Sequence, residues 1–390
     1  MKTENNRPLV AKTLYGFEPI LAKELRQLGA IDVKEGNRVV TFKGDLGFVY
    51  KANLCLRTAL NILVPIKKTN ISNQEDLYRS MQEIDWPSIF GVEQTFAIQA
   101  TVFGSLFEHS LFVAQKAKDA IVDQFRLRFK KRPDVNTTDP DIRIQLHLVD
   151  DFLQISMDSS GRSLHLRGYK QSTNIAPINE VLAAGLLLHS HWSGLHEFLD
   201  PMCGSGTLAI EAAMIACNIP ANINRTRFTF KNWNNYDEDL FETIVNSSLN
   251  KTIEHHRPIY AMDKAPSAVR KTQENVNAAN LEDYIQVSRA DFFRSSRPTE
   301  NRLHLVFNPP YGERLPIDYD IFYGKIGDTF KKEYTGCEAW FISSNLEAIK
   351  HVGLRTSKKI KLFNGSLESR LVCYQMYEGT KKKSSLRDSS

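Results

Sequence analysis

The chain has 390 residues, with 50 Lys and Arg against 45 Asp and Glu for a net charge of +5, and is 42% hydrophobic and 24% charged. It is too long for one ordinary core and implies two or three domains, and its composition excludes a disordered, collagenous or membrane-embedded chain. Five cysteines, Cys55, Cys203, Cys217, Cys337 and Cys373, show no C-x-x-C or Cys/His spacing, so neither a metal nor a disulfide framework is expected.

The polar N-terminus lacks an apolar leader, and no run approaches the roughly eighteen apolar residues of a membrane span, so a cytoplasmic protein is expected. Residues 9–14 read as a strand and 19–28 as a helix with Ile20, Leu21, Leu25 and Leu28 on one side, ended by Gly29. Strand-like 38–42, a helix over 46–52 and strand-like 60–65 complete a small α+β unit. A second unit follows: a helix over 76–84 ending before Trp86-Pro87, a strand over 95–102, a long helix over 109–129, and strands at 142–149 and 152–157. On the long helix Phe112, Val113, Ala120, Ile121 and Phe125 are candidate inward positions. Its end carries Arg126, Arg128, Lys130, Lys131 and Arg132, which is either a solvated helix end matched to the macrodipole or a phosphate-contacting patch. Arg162, Arg167 and Lys170 add further positive charge.

From about residue 171 helix and strand alternate regularly, the pattern of a doubly wound α/β domain. Helices are expected at 179–188, 208–217, 267–279, 319–331 and 346–352, and strands at 197–199, 259–262, 285–288, 303–307 and 339–343. A partly helical excursion spans 219–257, and 359–363 with 371–376 can form a terminal antiparallel pair. The Lys/Ser-rich tail, 379–390, is expected to be disordered.

The apolar run 303–307 ends at Asn308-Pro309-Pro310-Tyr311. Two prolines cannot continue a strand, so the chain must open there into a rigid loop. The Asn308 carboxamide oxygen and the Pro309 carbonyl can each accept an N–H of a planar base while Tyr311 stacks on its face; a Pro-rich turn capped by Asn is the alternative. Upstream, residues 200–207, Asp-Pro-Met-Cys-Gly-Ser-Gly-Thr, lie between strand and helix, where glycines permit close approach of a ligand to backbone N–H groups. Gly204 to Ala209 also fits the G-x-G-x-x-A dinucleotide fingerprint, although the acid expected about 20 residues on appears only at Asp263. Asp263 can accept from a ribose diol or cap a helix, and Asp291 can accept from an adenine amine, with Phe292 against the ring, or simply shape a turn. Asp200, Asp263, Asp291 and Asn308 each end a successive strand, and in an open parallel sheet those ends line the ligand crevice.

These motifs together resemble class I S-adenosylmethionine-dependent methyltransferases that modify exocyclic amines. The form Asn-Pro-Pro-Tyr-Gly-Glu-Arg at 308–314, with Ala-Pro-Ile-Asn-Glu at 176–180 and Leu-Arg-Gly-Tyr at 166–169, is narrower and resembles the THUMP-containing RNA guanine-N2 methyltransferases of the bacterial 23S rRNA, RlmL-like type. Residues 227–233, 237–239 and 15–19 are similar as well. The resemblance implies a ferredoxin-like domain over 1–68, a THUMP RNA-binding domain over 69–168 and a Rossmann-like methyltransferase domain over 169–378. It implies a cofactor site of Asp200, Met202, Cys203, Gly204, Gly206, Thr207, Asp263, Lys264, Asp291, Phe292 and Asn308, catalysis by Asn308, Pro309, Pro310 and Tyr311, and RNA contacts from the two basic clusters. Some relatives carry a second methyltransferase domain and this chain does not, so one activity is expected. Adenine-N6 DNA and release-factor glutamine methyltransferases share Asn-Pro-Pro-Tyr, and the RNA-type domains argue against both. A tRNA guanine-N2 methyltransferase, a nicotinamide dehydrogenase and a non-catalytic RNA-binding module stay open.

Overall fold

The structure, a computed structural model, describes residues 6–104, 106–171, 178–310 and 318–377. The chain divides into two compact units, one of residues 1–168 with 220–252, the other of 169–219 with 253–390.

The first unit is built on seven strands, β1 (Arg7–Thr13), β2 (Ile31–Glu35), β3 (Val39–Gly44), β4 (Ala59–Asn70), β5 (Phe96–Phe103), β6 (Ile142–Val149) and β7 (Phe152–Asp158), in the order β2-β3-β1-β4-β7-β6-β5. The expected ferredoxin-like and THUMP segments therefore share one sheet. Their joint is β4, whose first half pairs with β1 and whose second half pairs with β7. The sequence pattern stops this strand at Pro65, but the register shifts there, and a bulge accommodates the residue that cannot donate. Strand β2 was not anticipated because it is an edge strand whose residues are mostly exposed, leaving no alternation to read.

Helices Glu18–Leu28, Leu46–Cys55, Gln74–Gln82 and Ser110–Phe129 supply the rest of this core, including Leu21, Leu25, Leu77, Met81, Ile121 and Phe125. On the long helix Ala117 and Val122 are buried, whereas Phe112, expected inward, is 42% exposed. A short helix, Trp86–Ile89, begins where only a stop was expected, since proline suits a first turn.

Residues 220–252, expected as an excursion of the α/β domain, pack into the first unit. Phe228, Phe230, Trp233 and Phe241 join its core, with the Phe230 ring centred 4.6 Å from that of Tyr50 and 5.4 Å from that of Phe241. Asn222 donates its backbone N–H to the Leu54 carbonyl and its side-chain amide to that of Asn53. The Arg225 guanidinium donates to the carbonyls of Ser160, Ser163 and Leu166 and lies over the Phe228 ring. Phe230→Ala should therefore cost this unit about 3–5 kcal/mol, read as a lowered urea midpoint; a loss below about 1 kcal/mol would show the segment to be loosely attached.

The second unit holds β8 (Glu197–Asp200), β9 (Ile259–Asp263), β10 (Ile285–Arg289), β11 (Leu303–Phe307), β12 (Glu338–Ser343), β13 (Lys358–Asn364) and β14 (Leu367–Gln375), in the order β10-β9-β8-β11-β12-β14-β13. The first five are parallel, and β14 runs antiparallel to both its neighbours. The expected helix at 346–352 is a 3-10 turn, Ala348–Val352. The chain runs outward from β8 to β10 and then crosses to β11 on the other side, so the switch point, where ligands bind in such sheets, lies between the C-terminal ends of β8 and β11.

At the opposite end of β11 the His304 imidazole is buried against Trp192 and shares a hydrogen bond of 2.9 Å with the Ser190 hydroxyl. Burial lowers its pKa to about 4 from an ordinary 6.5. The unfolded chain takes up this proton near pH 6.5 and the folded chain only near 4, so the stabilisation is complete above 6.5 and is lost as pH falls toward 4. The loss is on the order of 3 kcal/mol. Urea unfolding across this window should show a shallower pH slope for His304→Gln than for the native chain, and equal slopes would place the acid sensitivity elsewhere.

Candidate active site

Strand β8 ends in Asp200, which is 1% exposed. Its carboxylate accepts the Met202 N–H at 3.2 Å, and burial, with Asp263 nearby, pushes its pKa well above the carboxylate range. Beyond it the loop turns tightly: the Cys203 N–H bonds the Met262 carbonyl, and the Gly206 N–H returns to the Cys203 carbonyl. Gly206 has φ +81°, and a Cβ there would stand 2.8 Å from the Thr272 methyl. Thr207 then opens helix Thr207–Ala216, whose first N–H groups have no partners within the helix.

Helix Pro266–Ala278 props this loop from beneath. Thr272 donates to the Gly204 carbonyl at 3.2 Å, and the Asn275 amide donates to the Ser205 carbonyl at 2.9 Å. Both side chains are fully buried, and the sequence motifs do not include them. The available signal was two polar residues on the stripe that Ala268 and Val276 mark as inward.

Asp263, at the end of β9, accepts the Gly204 N–H at 3.0 Å with one oxygen and the Ala265 N–H at 2.9 Å with the other. It thus ties the glycine loop to the next strand. Lys264 beside it is exposed. Asp291 follows β10 and accepts the Phe293 N–H at 3.0 Å in a tight turn. Phe292 corrects an expectation: its ring is 3% exposed and packs on Phe307 and Tyr334 at 5.7 and 5.5 Å, so it faces the core, not a ligand.

Asn308 leaves β11 at the switch point, followed by a buried Pro309 and a half-buried Pro310. Its side-chain oxygen is buried and has no hydrogen-bond donor among the described residues. Tyr311, Gly312, Glu313 and Arg314 lie outside the described residues, as do Ala176 and Pro177. Within the second unit the strand ends thus bring Asp200, the 202–207 loop, Asp263, Asp291 and Asn308 to one edge of the sheet.

The basic residues divide. Arg126, Arg128, Lys130, Lys131 and Arg132 are exposed at and beyond the end of their helix, with Arg126 and Arg128 in surface ion pairs to Asp123 and Asp85. Arg162 is exposed as well. Arg167 and Lys170 are corrections to the expected phosphate contacts. Arg167 is 1% exposed and bonds the Leu164 and Arg57 carbonyls and the Asn222 side chain. Lys170 pairs with buried Glu180 at 2.8 Å. A cation committed to internal partners cannot meet a phosphate without leaving them uncompensated.

The comparisons with known proteins agree with this architecture. The RMKL-like methyltransferase domain matches residues 167–372, the THUMP domain 72–158 and the RlmL ferredoxin-like domain 8–63. A Synechocystis protein, slr0064, which bears a provisional RNA methyltransferase name, is 35% identical over 376 residues, covering 95% of this chain and 97% of its own. The ribosomal RNA large subunit methyltransferase K/L of Shewanella frigidimarina is 36% identical over 376 residues; the match takes in 94% of this chain and 52% of that protein, so the chain spans about half the length of such relatives. The crystal structure of SMU.472 complexed with SAH superposes with a TM-score of 0.86 at 30% identity, over 97% of this chain and all of that one. The chain therefore belongs to the RMKL-like methyltransferase family, in the form that carries RlmL ferredoxin-like and THUMP domains, and its cofactor is S-adenosylmethionine.

Proposed function

We propose that the protein methylates the exocyclic N2 amine of a guanine in RNA, with large-subunit 23S rRNA as the substrate. Family membership removes the dehydrogenase reading, and the THUMP match favours RNA over DNA or a protein glutamine. The observation that carries the reading is the Asn308 side-chain oxygen, an acceptor held at the switch point, buried and without a donor among the described residues. A buried acceptor left unpaired costs free energy, which an arriving N–H repays.

The residues present suit the cofactor. Backbone groups of Met202, Cys203, Gly204, Gly206 and Thr207 line a turn that a ligand can approach closely. Asp263 keeps lone pairs for a ribose diol, and Asp291 for an adenine amine. Phe292 contributes only through its backbone, Lys264 from the rim, and Asp200 as a buried acid suited to a cationic ligand. Bound there, S-adenosylmethionine supplies an electrophilic methyl group on a positively charged sulfur.

The guanine amine is a poor nucleophile because its lone pair is delocalised into the ring. Asn308 and the Pro309 carbonyl accept its two N–H bonds and draw the nitrogen toward a tetrahedral shape, which frees the lone pair and aims it. Pro310 stiffens the loop, and Tyr311 stacks on a base turned out of the RNA. The amine proton leaves to solvent after the nitrogen–carbon bond has formed.

Labelled S-adenosylmethionine incubated with total unmodified RNA tests this. N2-methylguanosine mapping to the large-subunit rRNA is the expected product. N6-methyladenosine, or label in protein alone, would overturn the base assignment, and label in tRNA would move the substrate class.

A further inference from the structure

One face of the first sheet carries side chains that neither its core nor the proposed transfer site uses. Along β6 and β7, Ile142, Ile144, Leu146, Leu148, Leu153 and Ile155 point into the core under the helices, so the alternate residues lie on the opposite face. There the register sets Phe103 opposite Val149, and Val149 opposite Phe152. These three are 58%, 37% and 41% exposed, and the Phe103 ring lies 5.9 Å from that of His147. The next row across the strands is Thr101, His147, Gln154 and Lys68. Single exposed apolar residues are ordinary, whereas a contiguous row framed by polar groups marks an interaction surface.

We propose that this row is a stacking platform for unpaired bases of the RNA, a contact that rests on the RNA reading above for the identity of its occupant. Phe103 and Phe152 stand two strands apart, about 10 Å, so each ring can carry one base of an extended strand. Thr101 and Gln154 offer donors and acceptors to base edges. Cations on the same face supply the phosphate contacts: exposed Lys68, and Lys12 beside Gln145 at 3.1 Å. The acids are few and placed aside. Asp158 on this face is fully buried and bonded to Gln145 and Asn61, and Asp150 and Asp151 occupy the β6–β7 turn, Asp151 bonded to Asn70. The backbone of the strand therefore runs over Lys68 and Lys12, with its bases over the phenyl rings.

The test is fluorescence anisotropy of labelled single-stranded oligo(U) with the full chain. Phe103→Ser and Phe152→Ser should each raise Kd about tenfold, and Phe103→Tyr should restore it, with Tm and S-adenosylmethionine affinity unchanged. No binding by the native chain, equal binding by the serine variants, or a duplex RNA bound as tightly as oligo(U) would overturn the proposal. So would a native dimer in light scattering that Phe103→Ser dissolves, since the row would then join two copies of the chain. Loss of RNA methylation with the oligo(U) pattern intact strikes the activity reading alone, and the converse strikes only the platform.

Discussion

Alanine at position 308 will lower methyl transfer at least about a hundredfold while S-adenosylmethionine affinity stays close to that of the native chain. The side-chain oxygen it removes is the buried acceptor at the end of β11. Without it one N–H of the amine has no acceptor, and the lone pair returns to conjugation with the ring. The loss should therefore appear in single-turnover rate at saturating RNA, with calorimetric cofactor affinity as the control. Turnover equal to that of the native protein would sink the assignment of Asn308.

Valine at position 206 should instead abolish cofactor binding, and methylation with it. Gly206 holds φ +81°, a region that a β-branched residue does not tolerate, and the first added carbon would lie 2.8 Å from the Thr272 methyl. Thr272 cannot simply retreat, because its hydroxyl holds the Gly204 carbonyl. Calorimetry with S-adenosylmethionine should detect no binding, while the melting of the first unit, which contains neither residue, should not move. Native-like affinity for Gly206→Val would mean that the turn is not the cofactor cradle.

The strand ends were legible because buried parallel strands read as short apolar runs, and the residue after each run falls at the crevice. Asp200, Asp263, Asp291 and Asn308 could thus be grouped from the sequence alone. The supports beneath them could not. Thr272 and Asn275 are polar residues on an inward stripe, and a single sequence does not say which backbone carbonyl they meet. Arg167 and Lys170 failed for the converse reason: charge reads as surface, yet the Arg57 and Leu164 carbonyls and Glu180 satisfy these cations inside the fold. Phe292 failed because an aromatic beside a site acid reads equally as a ligand contact or as core, and only the fold shows its ring packed on Phe307 and Tyr334. The misplacement of residues 220–252 has another cause. Periodicity reports that a segment has an apolar face and is silent on which sheet receives it.

That segment has a consequence for synthesis on the ribosome. The first unit cannot close its core when residue 168 emerges, because Phe228, Phe230, Trp233 and Phe241 are still to be made. At about 5–20 residues per second the delay is on the order of ten seconds. Throughout it Tyr50 and its neighbours lack their aromatic cover, and the nascent chain offers a sticky surface to chaperones and to other chains. The first unit therefore reaches its native state only after residues 169–219 of the second have been translated, and the two mature in an interleaved order instead of one after the other.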